Sequence, residues 1–163
     1  MTRRAPLALI VLRAVACWGI GYLALTMFPG IERLAMRATA IMLDLGLNLV
    51  LPDVERIGDQ LGALGVSFQV EPDCTPLGPI VLLWGTILAT PAPGRSKLMA
   101  MGAGGILLWM YNLARIAVLM VVLARMPEAF DLAHVYLWQT MTIVVILGSF
   151  LLWVRTLAPL PAR

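Results

Sequence analysis

The chain has 163 residues, of which 61% are hydrophobic and only 13% charged, and its mean hydropathy is +0.91. A soluble domain carries about 25% charged residues, so this composition excludes an ordinary soluble domain and predicts a single membrane domain over residues 1–163. The net charge of +3 does not predict nucleic-acid binding, because the basic residues lie at the ends of apolar segments, where membrane topology accounts for them.

Four apolar segments are candidate membrane-spanning helices. About 20 apolar residues, rising about 1.5 Å each, cross a hydrocarbon core of about 30 Å. The second segment is short, so it needs Cys74 and Thr75 as well, or a locally thinned bilayer. We therefore expect an all-α membrane protein with four transmembrane helices. The predicted spans cover residues 7–28, 76–90, 98–126 and 135–154.

Residues 29–75, between the first two spans, form the most polar part of the chain. Residues 31–50 predict an amphipathic helix that lies at the membrane interface or packs partly inserted against the bundle. The alternation in residues 66–70 predicts a short strand. The polar stripe of the predicted helix is Arg33, Arg37, Asp44 and Asn48, and its apolar face is Ile31, Leu34, Ala38, Ile41, Leu45 and Leu49.

The distribution of lysine and arginine sets the predicted orientation, because these residues are enriched on the cytoplasmic side of membrane proteins. All the acidic residues fall on the opposite side of a four-span arrangement. We expect a multi-pass protein of a bacterial cytoplasmic membrane, with both termini inside and with residues 29–75 and 127–133 outside. The inner basic residues are Arg3, Arg4, Arg13, Arg95, Lys97, Arg155 and Arg163, whereas Arg33, Arg37, Arg56 and Arg125 fall outside.

Three reactive side chains are predicted to meet at the outer membrane surface: Cys74 before span two, Arg115 near the outer end of span three, and His134 where span four begins. A helix N-terminus or a nearby cation lowers a thiol pKa, an imidazole moves protons, and a guanidinium stabilises an oxyanion. This set predicts an acyl-transfer site acting on an amide. Cys17, inside span one, is interpreted as a packing residue.

Other interpretations of Arg115 remain open. It is also suited to an ion pair with Asp73, Glu128 or Asp131, or to snorkelling at the boundary. The whole chain also fits a non-catalytic four-helix membrane subunit, or a small transporter in which Arg115 binds an anion. No predicted span contains an acid, which argues against a proton-coupled transporter. A single histidine without a nearby acid–histidine pair, and no phosphate-binding loop, predict neither a metal nor a cofactor.

The order and spacing of these residues resemble the exosortase/archaeosortase family of integral-membrane transpeptidases. The resemblance covers about residues 40–156. It rests on Cys74 before an apolar span and on Asn112-Leu113-Ala114-Arg115-Ile116 in the next span. It also rests on His134 after an 18-residue interval, and on the segment Gly65 to Val70 that leads to the cysteine. Two glycines that often accompany the family's cysteine and histidine are absent, and Pro76 follows the cysteine instead.

The resemblance implies a cysteine peptidase or transpeptidase. Its substrates would be exported proteins with a C-terminal sorting signal, made of a short motif, a transmembrane helix and a basic tail. Cys74 would be the nucleophile, Arg115 the transition-state stabiliser and His134 the general acid and base. Asn112, one helical turn from Arg115, would orient that arginine.

Overall fold

The computed structural model describes residues 7–51 and 53–156. This part of the chain is helical apart from one small sheet. Arg3, Arg4 and Arg163, used in the orientation argument, lie outside the described residues. The elements are α1 (Leu7–Met27), α2 (Pro29–Asn48), β1 (Glu55–Ile57), β2 (Gln60–Ala63), β3 (Val66–Gln69), α3 (Leu77–Ala89), α4 (Gly94–Arg125) and α5 (Trp138–Thr156), with 3-10 turns at Pro72–Cys74 and Pro127–Ala129 and a π-helix at Leu132–Leu137.

Three helical segments of the described chain are long and apolar enough to cross a membrane, which is consistent with a multi-pass membrane protein. They are Ala8–Met27, Gly94–Arg125 and the continuous helical run Pro127–Thr156. The predicted second span is present as α3, but its 13 residues measure only about 20 Å. That length is less than the hydrocarbon thickness of about 30 Å. The fourth crossing therefore stays a prediction.

Two segments predicted as connections are helical. Residues 94–97 form the first turn of α4, because Pro93 ends the preceding extended turn and the backbone N–H of Lys97 donates to its carbonyl at 3.1 Å. The connection between predicted spans three and four, residues 127–133, is helical as well. Pro127 opens a 3-10 turn that continues into the π-helix. The acidic residues Glu128 and Asp131 are exposed on this helical surface.

The amphipathic helix predicted over 31–50 is present as α2, but it packs on a different face. Leu34 is 70% exposed and Leu45 is 65% exposed, so the large apolar side chains point away from the rest of the protein. Three of the four buried residues are small, which lets the helix approach its neighbours closely. The buried residues of α2 are Ala35, Thr39, Ala40 and Leu43.

The strand predicted within residues 66–70 is confirmed as β3, at the edge of an antiparallel sheet ordered β1-β2-β3. Strands β1 and β2 were not predicted. One face of the sheet is buried through Leu61 and Phe68, and with Val70 they join a core that includes Ala40 of α2 and Ile116 of α4. The small sheet is thus packed onto the helices.

Helices α1 and α3 approach each other closely at Gly85. A Cβ atom at this position would lie 3.2 Å from the backbone nitrogen of Trp18 and 3.4 Å from the Cβ of Cys17. A side chain at this position would press against the backbone of α1. Helix α3 is also fixed to α4, since the Trp84 indole N–H donates to the Met101 carbonyl at 2.9 Å. The turn before α3, which carries Cys74, contacts α2 and is bonded to α4 through Asn112.

Candidate active site

Cys74 ends a short turn that the prolines on either side define. Pro72 opens the 3-10 turn, and the backbone N–H of Cys74 donates to the Glu71 carbonyl at 2.9 Å. The Thr75 hydroxyl donates to the Pro72 carbonyl at 2.7 Å and closes the turn before α3 begins. The Cys74 side chain is only 8% exposed and belongs to the same core as β3 and α4. The thiol is therefore held in a defined place.

Asn112 of α4 anchors the backbone of the cysteine turn. Its side-chain Nδ2 donates to the Cys74 carbonyl at 2.7 Å, and the residue is 3% exposed. The predicted role of Asn112 was to orient Arg115 from one turn away. Its amide instead bonds Cys74 directly, although 38 positions separate the two residues in the chain. Asn112 thus fixes the candidate nucleophile to the helix that carries Arg115.

Arg115 has no partner for its guanidinium within residues 7–51 and 53–156. Its Nε atom is buried and makes no hydrogen bond. The ion pair considered with Asp73, Glu128 or Asp131 does not form, and Arg56–Asp44, at 3.3 Å, is the ion pair found in this part of the chain. Buried donors are nearly always satisfied in folded proteins, so the unpaired Nε of Arg115 suits an acceptor that arrives with a ligand.

Burial raises the pKa of the Cys74 thiol above its ordinary value of 9.0. A backbone hydrogen bond with Glu71 and the positive charge of Arg115 oppose this rise, whereas the charges of Glu71 and Asp73 add to it. We expected a helix N-terminus and nearby cations to lower the pKa of this thiol. That expectation is wrong, because the cost of desolvating the thiolate exceeds the stabilisation that these groups provide. The resting residue is a thiol that needs a base.

His134 is connected to the core that contains Cys74 through the ring of Phe130. It lies in the π-helix Leu132–Leu137, and its ring stacks on Phe130 with centroids 5.5 Å apart. Phe130 packs against the core that contains Cys74 and Ile116. No hydrogen bond joins His134 to Cys74 or to Arg115, all three being described residues. Proton transfer between His134 and Cys74 therefore requires a movement of one side chain or a bridging water.

A contact between Tyr111 of α4 and Trp138 of α5 indicates how Arg115 and His134 are aligned along the two helices. The Tyr111 and Trp138 rings meet edge to face at 5.9 Å, and the Tyr111 hydroxyl lies 3.3 Å from the Trp138 carbonyl. Arg115 is four residues after Tyr111, and His134 is four residues before Trp138. Because α4 and α5 run in opposite directions here, both residues lie about one turn beyond this contact, in one layer.

Sequence reasoning missed the three aromatic residues that support the site, Phe130, Tyr111 and Trp138. Their four-residue spacing from His134 and Arg115 was the available signal, because residues at that spacing share a helix face. Among the described residues, no group of three or more His, Cys, Asp or Glu side chains is placed to hold a metal ion. No protein-family model, curated protein or solved structure matches this chain.

Proposed function

We propose that this protein is a membrane-embedded cysteine peptidase or transpeptidase that processes C-terminal sorting signals of exported proteins. The observation that supports the proposal most strongly concerns Arg115. Its Nε atom is buried without a hydrogen-bond partner, and its charge acts on the buried thiol of Cys74, whose carbonyl accepts a hydrogen bond from Asn112. In this proposal α3 is a fourth, short crossing, both termini are cytoplasmic, and the cysteine turn lies at the outer face of a bacterial cytoplasmic membrane.

The proposed reaction uses the three side chains in turn. His134 takes the thiol proton of Cys74, and the thiolate attacks the carbonyl carbon of the scissile amide. Arg115 donates hydrogen bonds to the resulting oxyanion, which are strong in a site poor in water. The C–N bond then breaks, and His134 returns the proton to the departing amine. Water or an acceptor amine releases the thioester by the same steps in reverse order.

The raised pKa of the thiol agrees with a substrate-triggered mechanism. A resting thiol does not react with stray electrophiles, because the thiolate is the nucleophile. The π-helix that carries His134 is a type of distortion often found at functional sites. In the proposed mechanism, substrate binding moves the imidazole from its stack on Phe130 toward Cys74.

An apolar groove below the cysteine turn is suited to the transmembrane helix of the substrate. It has a volume of about 580 Å³, and its α3 side begins at Leu77, three residues after Cys74. Gly102 and Gly105 leave space on the α4 side. We expect Gly102→Leu to fill the groove and slow processing, while Gly148→Leu, which points into open space on α5, leaves it unchanged. Equal rates for both variants would remove the groove from the proposal.

The experiment for the function compares cells that express the native chain with cells that express Cys74→Ala. Exported proteins with a terminal apolar helix and basic tail should accumulate uncleaved in the variant and be found by membrane proteomics. One of these proteins, joined to a periplasmic reporter, then serves as the reporter substrate. Cys17→Ala is the matched control and should process normally. If no protein accumulates, or if the reporter is cleaved without Cys74, the proposal is wrong.

The unpaired Arg115 also fits a second function, the binding of an anion by a small transporter. Anion uptake into vesicles that contain the purified protein distinguishes the two. Uptake that survives Cys74→Ala but is lost in Arg115→Met would favour transport. A protein that shows neither processing nor uptake would be a non-catalytic membrane subunit.

A further inference from the structure

The free edge of β3 leads directly to the cysteine turn. The β2–β3 hairpin turns at Leu64 and Gly65, whose φ angles are 56° and 77°. Positive φ at both central residues is typical of a two-residue turn, and the residues that flank such a turn exchange both hydrogen bonds. Ala63 pairs with Val66 in this way. The backbone groups of Ser67 and Gln69 therefore point away from β2, toward the open edge.

These outward groups have no partner among the described residues. The sheet has no strand beyond β3, and no other backbone hydrogen bond involves Ser67 or Gln69. Both residues are exposed, whereas Phe68 between them is buried in the core. The strand is thus held by one face and one edge, and its second edge presents two N–H and two C=O groups to whatever lies beside it.

The opposite edge of the sheet is different. Arg56 of β1 is paired with Asp44 of α2 at 3.3 Å, and its guanidinium also donates to the Gly58 carbonyl at 2.9 Å. A charged side chain fixed in this way protects an edge strand from pairing. The β3 edge has no comparable protection.

The position of the open edge relates it to the proposed chemistry. Phe68 and Val70 pack in the same core as Cys74, and the chain passes from β3 through Glu71 into the turn that carries the thiol. We infer that an extended segment of the substrate protein, the part next to its scissile bond, adds to the sheet as a fourth strand beside β3. This inference rests on the proposed function and specifies how that function recognises its substrate.

Strand addition explains how such a site holds a peptide at a fixed register. Main-chain hydrogen bonds supply binding that tolerates many sequences, while alternate side chains supply selectivity. The bound strand would be extended, and every second carbonyl would point away from β3 and stay open to a nucleophile. The partner is therefore an exported, membrane-anchored protein whose cleavage region is unfolded and extended.

Proline substitution at the outward positions tests the inference with the reporter substrate. Gln69→Pro removes the outward N–H but none of the donors that bond β2, and proline is tolerated in edge strands at such positions. We expect processing to fall about 2- to 10-fold, as for one lost hydrogen bond. Gln69→Ala keeps the N–H and measures the loss of the side chain alone, so Gln69→Pro should process more slowly than Gln69→Ala. Unchanged processing in Gln69→Pro would overturn strand addition, even if Cys74→Ala still abolishes cleavage and the proposed function stands.

Cross-linking gives a second, independent measurement. Ser67→Cys is combined with Cys17→Ser and Cys74→Ser, and single cysteines are scanned along the reporter segment. Pairing as a strand predicts disulfides at every second position, because alternate side chains face the same side. This pattern does not depend on catalysis or on how well Gln69→Pro folds. Cross-links spaced as on a helix, or none, would overturn the inference.

Discussion

The two cysteines lie in regions that are held together in different ways. At Cys17, α1 meets α3 through the close approach that Gly85 permits, and the Cβ of Cys17 lies in this contact. At Cys74, an asparagine amide bonds the backbone, and a guanidinium nearby has no partner. The comparison teaches that the neighbours of a thiol, rather than the residue itself, separate a packing cysteine from a candidate nucleophile.

The largest effect should follow from removing the unpaired charge. Arg115→Met leaves a side chain of similar length without hydrogen-bond donors. We expect processing of the reporter to fall about 10²–10³-fold, as for loss of an oxyanion donor. Thermal stability should not fall, because the guanidinium makes no bond in the resting protein. Arg125→Met, in the exposed last turn of α4, is the control and should retain activity. Normal processing by Arg115→Met would contradict the role of the charge.

The anchoring bond at Cys74 should have the next largest effect. Asn112→Ala leaves the Cys74 carbonyl without its donor in a buried place, which should lower the free energy of unfolding by about 1–3 kcal/mol. Denaturation of the detergent-solubilised protein measures the change. In Asn48→Ala the lost amide is exposed and bonds Asp44 only, so the change should stay within about 0.5 kcal/mol. An equal decrease in the free energy of unfolding in both variants would show that the buried hydrogen bond contributes no more than the exposed one.

A smaller effect is expected where α1 meets α3. Gly85→Ala places a methyl group 3.2 Å from the Trp18 backbone nitrogen, so α1 must shift. Overpacking of this kind costs about 1 kcal/mol or more. Gly19→Ala on α1 has nothing within 4 Å and should be neutral. Both variants should process the reporter, since the contact at Cys17 is structural. If Gly85→Ala lost processing while its stability stayed unchanged, the contact at Cys17 would affect the site at Cys74. That result would contradict a purely structural role for the contact.

The smallest effects concern the reactivity of the resting thiol. In a Cys17→Ser background, alkylation of Cys74 should be slow at neutral pH and accelerate as the pH rises through 9.0 and beyond, because burial raises the pKa of the thiol. Glu71→Gln should lower that pKa and speed alkylation at a given pH, whereas Arg115→Met should raise it and slow alkylation. Rates that are fast and independent of pH near neutrality would mean that the thiolate is already present.

Hydropathy predicted the helices well, because a long apolar run has few alternatives to a helix in a membrane. The alternation around Phe68 likewise predicted β3. Strands β1 and β2 lack that signal: Glu55-Arg56-Ile57 is exposed throughout, and β2 contains Gly62. They form because the hairpin covers the core. The packed face of α2 also depends on tertiary contacts, since small residues rather than large ones face the neighbouring helices.

The candidate site, like the fold, could be predicted from the sequence only in part. Sequence spacing suggested one layer for Arg115 and His134, and the contact between Tyr111 and Trp138 supports that arrangement. The bond from Asn112 to Cys74 joins residues 38 positions apart, so no local pattern contains it. Burial of the thiol depends on several segments at once, and sequence spacing does not show it. The predicted lowering of the Cys74 pKa was wrong for that reason.

The most direct test of the central claim is a mass measurement on Cys74 itself. The protein is isolated rapidly from cells that express the reporter substrate, and the peptide that contains Cys74 is analysed for a thioester-linked fragment of the reporter. We expect a fragment on Cys74 that hydroxylamine releases and that is absent from Cys74→Ala. Cleavage of the reporter that proceeds with no adduct in the native protein, and equally fast in Cys74→Ala, would contradict the central claim.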